Sequence, residues 1–186
     1  VPESIYPVVA VKCDEAMPFP LPAQDGVLSS QALQPLLQRI SDYDALLLGC
    51  GLGCGPGVDE VVCGLLGSVQ CPVVLDADGI NCVCSCIDII RNTKGRLILT
   101  PHLGELKRLY AAAFDTDYPD RLTMAVKLAR EFDVVVAAKG VPTYISGGGK
   151  LFICKAGNPG LAKGGSGDVL TGIIGAFAAQ GLAPSD

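Results

Sequence analysis

Four short apolar runs punctuate the chain, and each stops at a polar or glycine-rich peptide. They are DALLLG (44–49), CPVVL (71–75), RLIL (96–99) and VVVAA (134–138). Short continuous runs of this kind read as strands buried on both faces. Between them the apolar residues fall at helical spacing. Helices are predicted over 58–69 and 104–113, and short ones over 79–90. Another spans 119–132, where Leu122, Val126 and Ala129 share a face and Asp117 is placed to cap it. Upstream, a helix is predicted over 4–13 with Pro7 in its first turn, and at most an edge strand over 16–21. An amphipathic helix is predicted over 29–40, with Ala32, Leu33, Leu36, Leu37 and Ile40 on one face and Ser29 or Ser30 as cap. Segments 143–145 and 151–154 pair as a hairpin across the glycine-rich loop 146–150. The apolar stretch 169–179 is a core helix.

Strand alternating with helix predicts an α/β fold: a mainly parallel sheet with helices on both faces, and one domain spanning 1–186. In open sheets of this kind ligands sit beyond the carboxyl ends of the strands. The peptides GCGLG, DADGIN, TPHLGE and KGVPT follow the four strands and should therefore share one rim. The glycine-rich loop that precedes Asp168 should join them.

Bulk properties narrow the picture. The chain has 186 residues, 49% of them hydrophobic and 18% charged, as in a protein with a real core. The formal net charge is −5 with no basic stripe, which argues against nucleic acid as a partner. Mean hydropathy is +0.43, yet no apolar run reaches the ~18 to 20 residues of a membrane span. The nine cysteines form no CxxC pair and lie far from the single histidine. They are expected to be reduced small hydrophobes in a cytoplasmic protein. The chain opens abruptly on Val1 and closes on APSD, and is expected to be incomplete at both termini.

The stretch AGNPGLAKGGSGDVLTGIIGAFAAQG (156–181) carries the chemistry. A glycine-rich loop feeding a helix N-terminus offers backbone N–H groups to an anion. It matches neither the Walker pattern nor a strict GxGxxG. Asp168 stands where it either caps that helix or accepts a proton from an attacking hydroxyl. Lys139, at a strand end, is expected to meet an anion. His102 is the only histidine, and Glu105 either caps the helix that follows it or faces a phosphate-bound Mg2+. Asp76 and Asp78 are a further candidate pair, either for a metal or for ending a strand and starting a helix.

Taken together, LLLGCGLG, VLDADGIN, LTPHLGELKRL, VVAAKGVPTYI and GNPGLAKGGSGDVLTGIIGAFAAQG resemble the NAD(P)H-hydrate dehydratases of the ribokinase-like superfamily, in the same order and over nearly the whole chain. The resemblance implies a three-layer α/β/α sandwich. It also implies a lyase of metabolite repair, in which a nucleotide phosphorylates the hydrate of NADH or NADPH and loss of phosphate restores the nicotinamide ring. TPHLGE resembles the bacterial members, which implies ADP in preference to ATP, together with Mg2+. Carried over by position, Asp168 is the catalytic base, and Gly53, His102 and Asp168 contact the hydrate. Lys139, Gly140, Val141, Pro142, Thr143, Gly165, Ser166 and Gly167 contact the nucleotide, and Glu105 is assigned to the metal. Members of the family have further segments at both ends. An apolar face left without its covering helices would favour association between copies. A kinase of a small alcohol and a non-catalytic nucleotide-binding module are the alternative readings.

Overall fold

The computed structural model describes residues 1–93 and 95–186. The short helix α1 (Tyr6–Lys12) and a small ribbon, β1 (Ala23–Gln24) with β2 (Val27–Leu28), come first, followed by α2 (Leu33–Leu37). The main sheet then alternates with helices: β3 (Leu46–Leu48), α3 (Pro56–Ser68), β4 (Val73–Leu75), α4 (Ala77–Val83), β5 (Leu97–Leu99), α5 (Leu103–Phe114), α6 (Arg121–Phe132) and β6 (Val135–Ala138). Strands β7 (Thr143–Gly147) and β8 (Lys150–Cys154) and helix α7 (Ser166–Ala179) complete it.

The six strands lie in chain order, β3-β4-β5-β6-β7-β8, with β3 to β6 parallel and the last two antiparallel. Right-handed crossovers that always step the same way place every connecting helix on the same face. That face holds the large core, where Val73, Leu75, Leu97, Leu99, Val136 and Ala138 of the strands meet Val61, Leu65, Leu106, Leu109 and Leu128 of the helices. The opposite face presents Leu47, Val74, Ile98 and Val135, and α7 is the one helix laid on it among the described residues. Helix α7 buries Thr171, Gly175 and Ala178, a single stripe at helical spacing.

Several expected elements differ, each for a local reason. The helix expected over 29–40 is broken into 3-10 turns flanking the five residues of α2. Pro35 sits inside it and can donate no hydrogen bond. Ser29 does not cap it; its hydroxyl donates to the Pro22 carbonyl. Residues 16–21 form no strand, only a single bridge between Pro2 and Leu21. β3 is an edge strand, so Leu47 is 42% exposed rather than buried. The cap of α6 is Asp120, whose carboxylate accepts the Thr123 N–H, and not Asp117. The hairpin turn is two residues, Gly148 and Gly149, with φ of 55° and 74°. Positive φ at both central positions suits the right-handed twist of the paired strands, so the ladder runs further than expected.

The expectation that all nine cysteines are reduced is corrected: Cys63 of α3 is bonded to Cys86. The 3-10 segment Cys84–Thr93 packs along α3 and brings the two Cα atoms to 6.6 Å. Twenty-three residues separate them, with no motif to mark the pair. No helix among the described residues is long and apolar enough to cross a membrane.

Candidate active site

Parallel strands bring the peptides after β3, β4, β5 and β6 to one end of the sheet, and hydrogen bonds join them there. The Lys139 N–H donates to the Pro101 carbonyl at 2.8 Å, linking KGVPT to TPHLGE. The Gly53 N–H donates to Asp78 Oδ2 at 2.9 Å, linking GCGLG to DADGIN. The Asp76 N–H donates to the Leu48 carbonyl at 3.1 Å. Gly49 allows this last approach, because a Cβ there would land on the Asp76 backbone.

The centre of the rim is an ion pair between the buried Asp76 and the half-buried Lys139. Asp76, 2% exposed, accepts from Lys139 Nζ at 2.7 Å through Oδ1 and from the Thr171 hydroxyl at 3.1 Å through Oδ2. Lys139 does meet an anion, and in this structure that anion is the Asp76 carboxylate. Each charge would be costly to bury alone, so the pair stands or falls together. Asp78 is used by the Gly53 amide, and the Cys54 thiol lies against it. Both aspartates thus hold protein groups, and no cluster of metal-ligating side chains forms among the described residues.

Helix α7 begins beside this pair. Its N-cap is Gly165, and no side chain caps it. Asp168 is the third helical residue and exposed, so the capping alternative for it is removed. No acceptor among the described residues takes the N–H groups of Gly167 and Asp168. Such groups, at the positive end of the helix dipole, favour an anion. The Lys139 ammonium lies 3.9 Å from where a Cβ on Gly167 would stand. The Cys50 thiol, in the loop after β3, lies against Asp168 and Thr171; burial, then the Asp168 carboxylate, hold it in the neutral form beyond the ordinary thiol range.

His102 and Glu105 form a reciprocal cap at the start of α5. His102 Nδ1 accepts the N–H groups of Gly104 and Glu105 at 2.9 and 3.3 Å, and Glu105 Oε2 accepts the His102 N–H at 2.7 Å. His102 Nε2 stands 3.2 Å from Glu105 Oε1. Glu105 is thus held by the His102 backbone through Oε2, and the residue is 4% exposed. The His102 ring itself is exposed on the rim.

Arg121 is a residue the sequence pattern passed over. From α6 it donates to the Lys139 and Pro142 carbonyls at 3.3 and 2.5 Å and lies over the Tyr144 ring. The Thr143 hydroxyl donates to the Gly140 carbonyl at 2.8 Å. Lys139 to Thr143 is thus a braced turn from which Val141 projects, 78% exposed. Nothing in the spacing of Arg121 marks this role, since its partners lie 18 and 21 residues on. A cavity of about 370 Å3 lined by Leu103, Arg121 and Tyr144 lies beside this braced turn, and one of about 340 Å3 lies along the hairpin; neither is lined by Asp168 or Lys139. The rim is an open face.

A mainly parallel sheet flanked by helices, its strands in chain order, is an architecture shared with ribokinase-like proteins. A ribokinase-like protein of Enterococcus faecalis superposes with a TM-score of 0.72 at 25% identity, over 94% of this chain and 58% of its own. The chain belongs to the NAD(P)H-hydrate dehydratase family, whose model matches residues 3–186. It is 42% identical to the bifunctional NAD(P)H-hydrate repair enzyme of Moorella thermoacetica, over 99% of this chain and 35% of the relative. It is 35% identical to the ADP-dependent (S)-NAD(P)H-hydrate dehydratase of Neisseria meningitidis, over 90% of this chain and 58% of the relative. An ADP/ATP-dependent NAD(P)H-hydrate dehydratase of Bacillus subtilis, co-crystallised with ATP and Mg2+, superposes with a TM-score of 0.66 at 26% identity, over 98% of this chain and 63% of its own. The chain thus spans a third to three-fifths of these relatives.

Proposed function

We propose that this chain carries a site for nucleotide-dependent dehydration of hydrated NADH or NADPH, with ADP as the preferred phosphoryl donor. The observation that carries the reading is the start of α7. An exposed carboxylate, Asp168, stands in the same turn as N–H groups without an acceptor, above the Lys139 ammonium. Phosphoryl transfer needs a proton acceptor beside a place where phosphate charge is held.

In this reading Asp168 takes the proton of the hydrate's C6 hydroxyl as its oxygen attacks the terminal phosphorus of ADP. The phosphorus–oxygen bond to the leaving AMP breaks. The amides of Gly167 and Asp168, the helix dipole and Lys139 hold the charge of the transferred group, while the Ser166 N–H is taken by the Lys163 carbonyl at 3.3 Å. Lys139 to Thr143 hold the nucleotide, and Gly53 and His102 face the hydrate. The ring nitrogen's lone pair then expels inorganic phosphate from C6, and loss of a proton from C5 to the released phosphate forms the C5–C6 double bond and restores the reduced nicotinamide ring. Mg2+ does not fit a site made by these residues, because Glu105 is engaged by His102 and Asp76 by Lys139 and Thr171. It would enter with the nucleotide, and no step here runs through it.

The test is direct. The protein is given NADPH hydrate, Mg2+ and either ADP or ATP, and the near-ultraviolet absorbance of NADPH is followed. Absorbance should return, faster with ADP. No return with either nucleotide, from folded protein that binds ADP, rejects the reading and leaves a nucleotide-binding module. Phosphorylation of a small hydroxymethyl compound instead would favour an alcohol kinase.

A further inference from the structure

We propose that Asp76 is a positioning residue that sets the register of the phosphate-binding turn while lowering its affinity for phosphate. The inference rests on the reading above and deepens it. One buried carboxylate links three elements far apart in sequence. Oδ1 binds Lys139, 63 residues on at the end of β6, and Oδ2 binds Thr171, 95 residues on in α7. The same Oδ2 lies 3.4 Å from where a Cβ on Gly167 would stand. Asp76 therefore sits directly beneath the turn that presents the Gly167 amide and the Asp168 carboxylate.

Two consequences follow from the charges. Asp76 directs the Lys139 ammonium and the Thr171 hydroxyl, and with them the seat of α7 on the sheet. It also places a negative charge under the surface that receives a phosphate, so it opposes the pull of Lys139 and the helix terminus. Register is thereby fixed at the expense of ground-state binding. A carboxylate that merely satisfied buried partners would show the opposite pattern: its loss would weaken nucleotide binding and turnover together.

ADP binding by titration calorimetry and turnover by steady-state kinetics separate these roles. Asp76→Asn keeps the side-chain shape and removes the charge. It should bind ADP roughly 3- to 10-fold more tightly while kcat falls about 100-fold. Thr171→Val should hold the ADP Kd within about 2-fold and lower kcat about 10-fold, and Thr171→Ser should restore it. Weaker or unchanged ADP binding by Asp76→Asn overturns the proposal, and so does a kcat within about 2-fold of the parent's. If Asp76→Asn does not fold, the Thr171 pair decides: full turnover in the valine variant, or no recovery in the serine variant, overturns it. If the unaltered protein regenerates no NADPH, the dehydratase reading fails on its own. The calorimetric comparison then decides Asp76 alone, tighter binding supporting the proposal and weaker or unchanged binding rejecting it.

Discussion

The two faces of the sheet are built to different ends. One is covered by α3, α4, α5 and α6, with side chains such as Leu65, Leu106 and Leu128 at 0 or 1% exposure. The other carries α7 on a narrow stripe of small residues and leaves Val169, Ile173 and Phe177 more than half exposed. The covered face is held by apolar packing. On the other, α7 is seated by the Asp76 network at its polar start, and the candidate chemistry lies at that start. A face held by packing responds to lost volume; a face seated by a few polar contacts responds to lost charge or geometry.

Substitutions can break that contrast. The largest effect expected is on chemistry: Asp168→Asn should reduce NADPH regeneration about 1,000-fold, as for loss of a general base, with ADP binding and melting temperature unchanged. Retained turnover would remove Asp168 from the mechanism. Next, Leu106→Ala on the covered face should cost about 4 kcal/mol in urea unfolding, whereas Val169→Ser on α7 should change stability by less than about 0.5 kcal/mol. Equal losses would erase the distinction between the faces. The disulfide belongs to the covered layer, so Cys63→Ala should cost about 3 kcal/mol under non-reducing conditions. Thiol titration of the unfolded parent should find seven reactive thiols, not the nine in the sequence.

The smallest effect concerns the rim. Cys50 is exposed, but its thiol is shifted upward by burial and by Asp168. A raised pKa means less thiolate at pH 8, so alkylation by iodoacetamide should be slower than for a free cysteine. Asp168→Asn should speed it, because the neutral side chain no longer opposes the thiolate. Unchanged rates would show that the two groups do not interact.

Sequence and structure agree where local rules dominate. The runs at 71–75 and 96–99 became β4 and β5, buried on both sides, because parallel strands at a sheet's centre need apolar residues throughout. TPHLGE disclosed a helix start, because a capping box is written in adjacent residues. Agreement failed where distant partners decide. Leu47 matched its neighbours in the run but lies at an edge. Cys63 and Cys86 meet only through the packing of two helical segments. Lys139 could be expected to find an anion, but not that the anion is Asp76, 63 positions earlier. The apolar pattern of α7 showed a helix and not which side of it would be left bare.

The tie between Asp76 and Thr171 also has a consequence in time. It closes a loop of 95 residues, and long closures form late because the chain's entropy must be overcome first. The covered core, built from neighbouring strand–helix units, should therefore consolidate before α7 docks. In refolding, hydrogen-exchange protection of the Leu106 and Leu109 amides, which lie in that core, should be gained ahead of ADP binding; simultaneous recovery would show that α7 docks together with it. A newly folded molecule would then pass through a stage that is already shaped but not yet able to act.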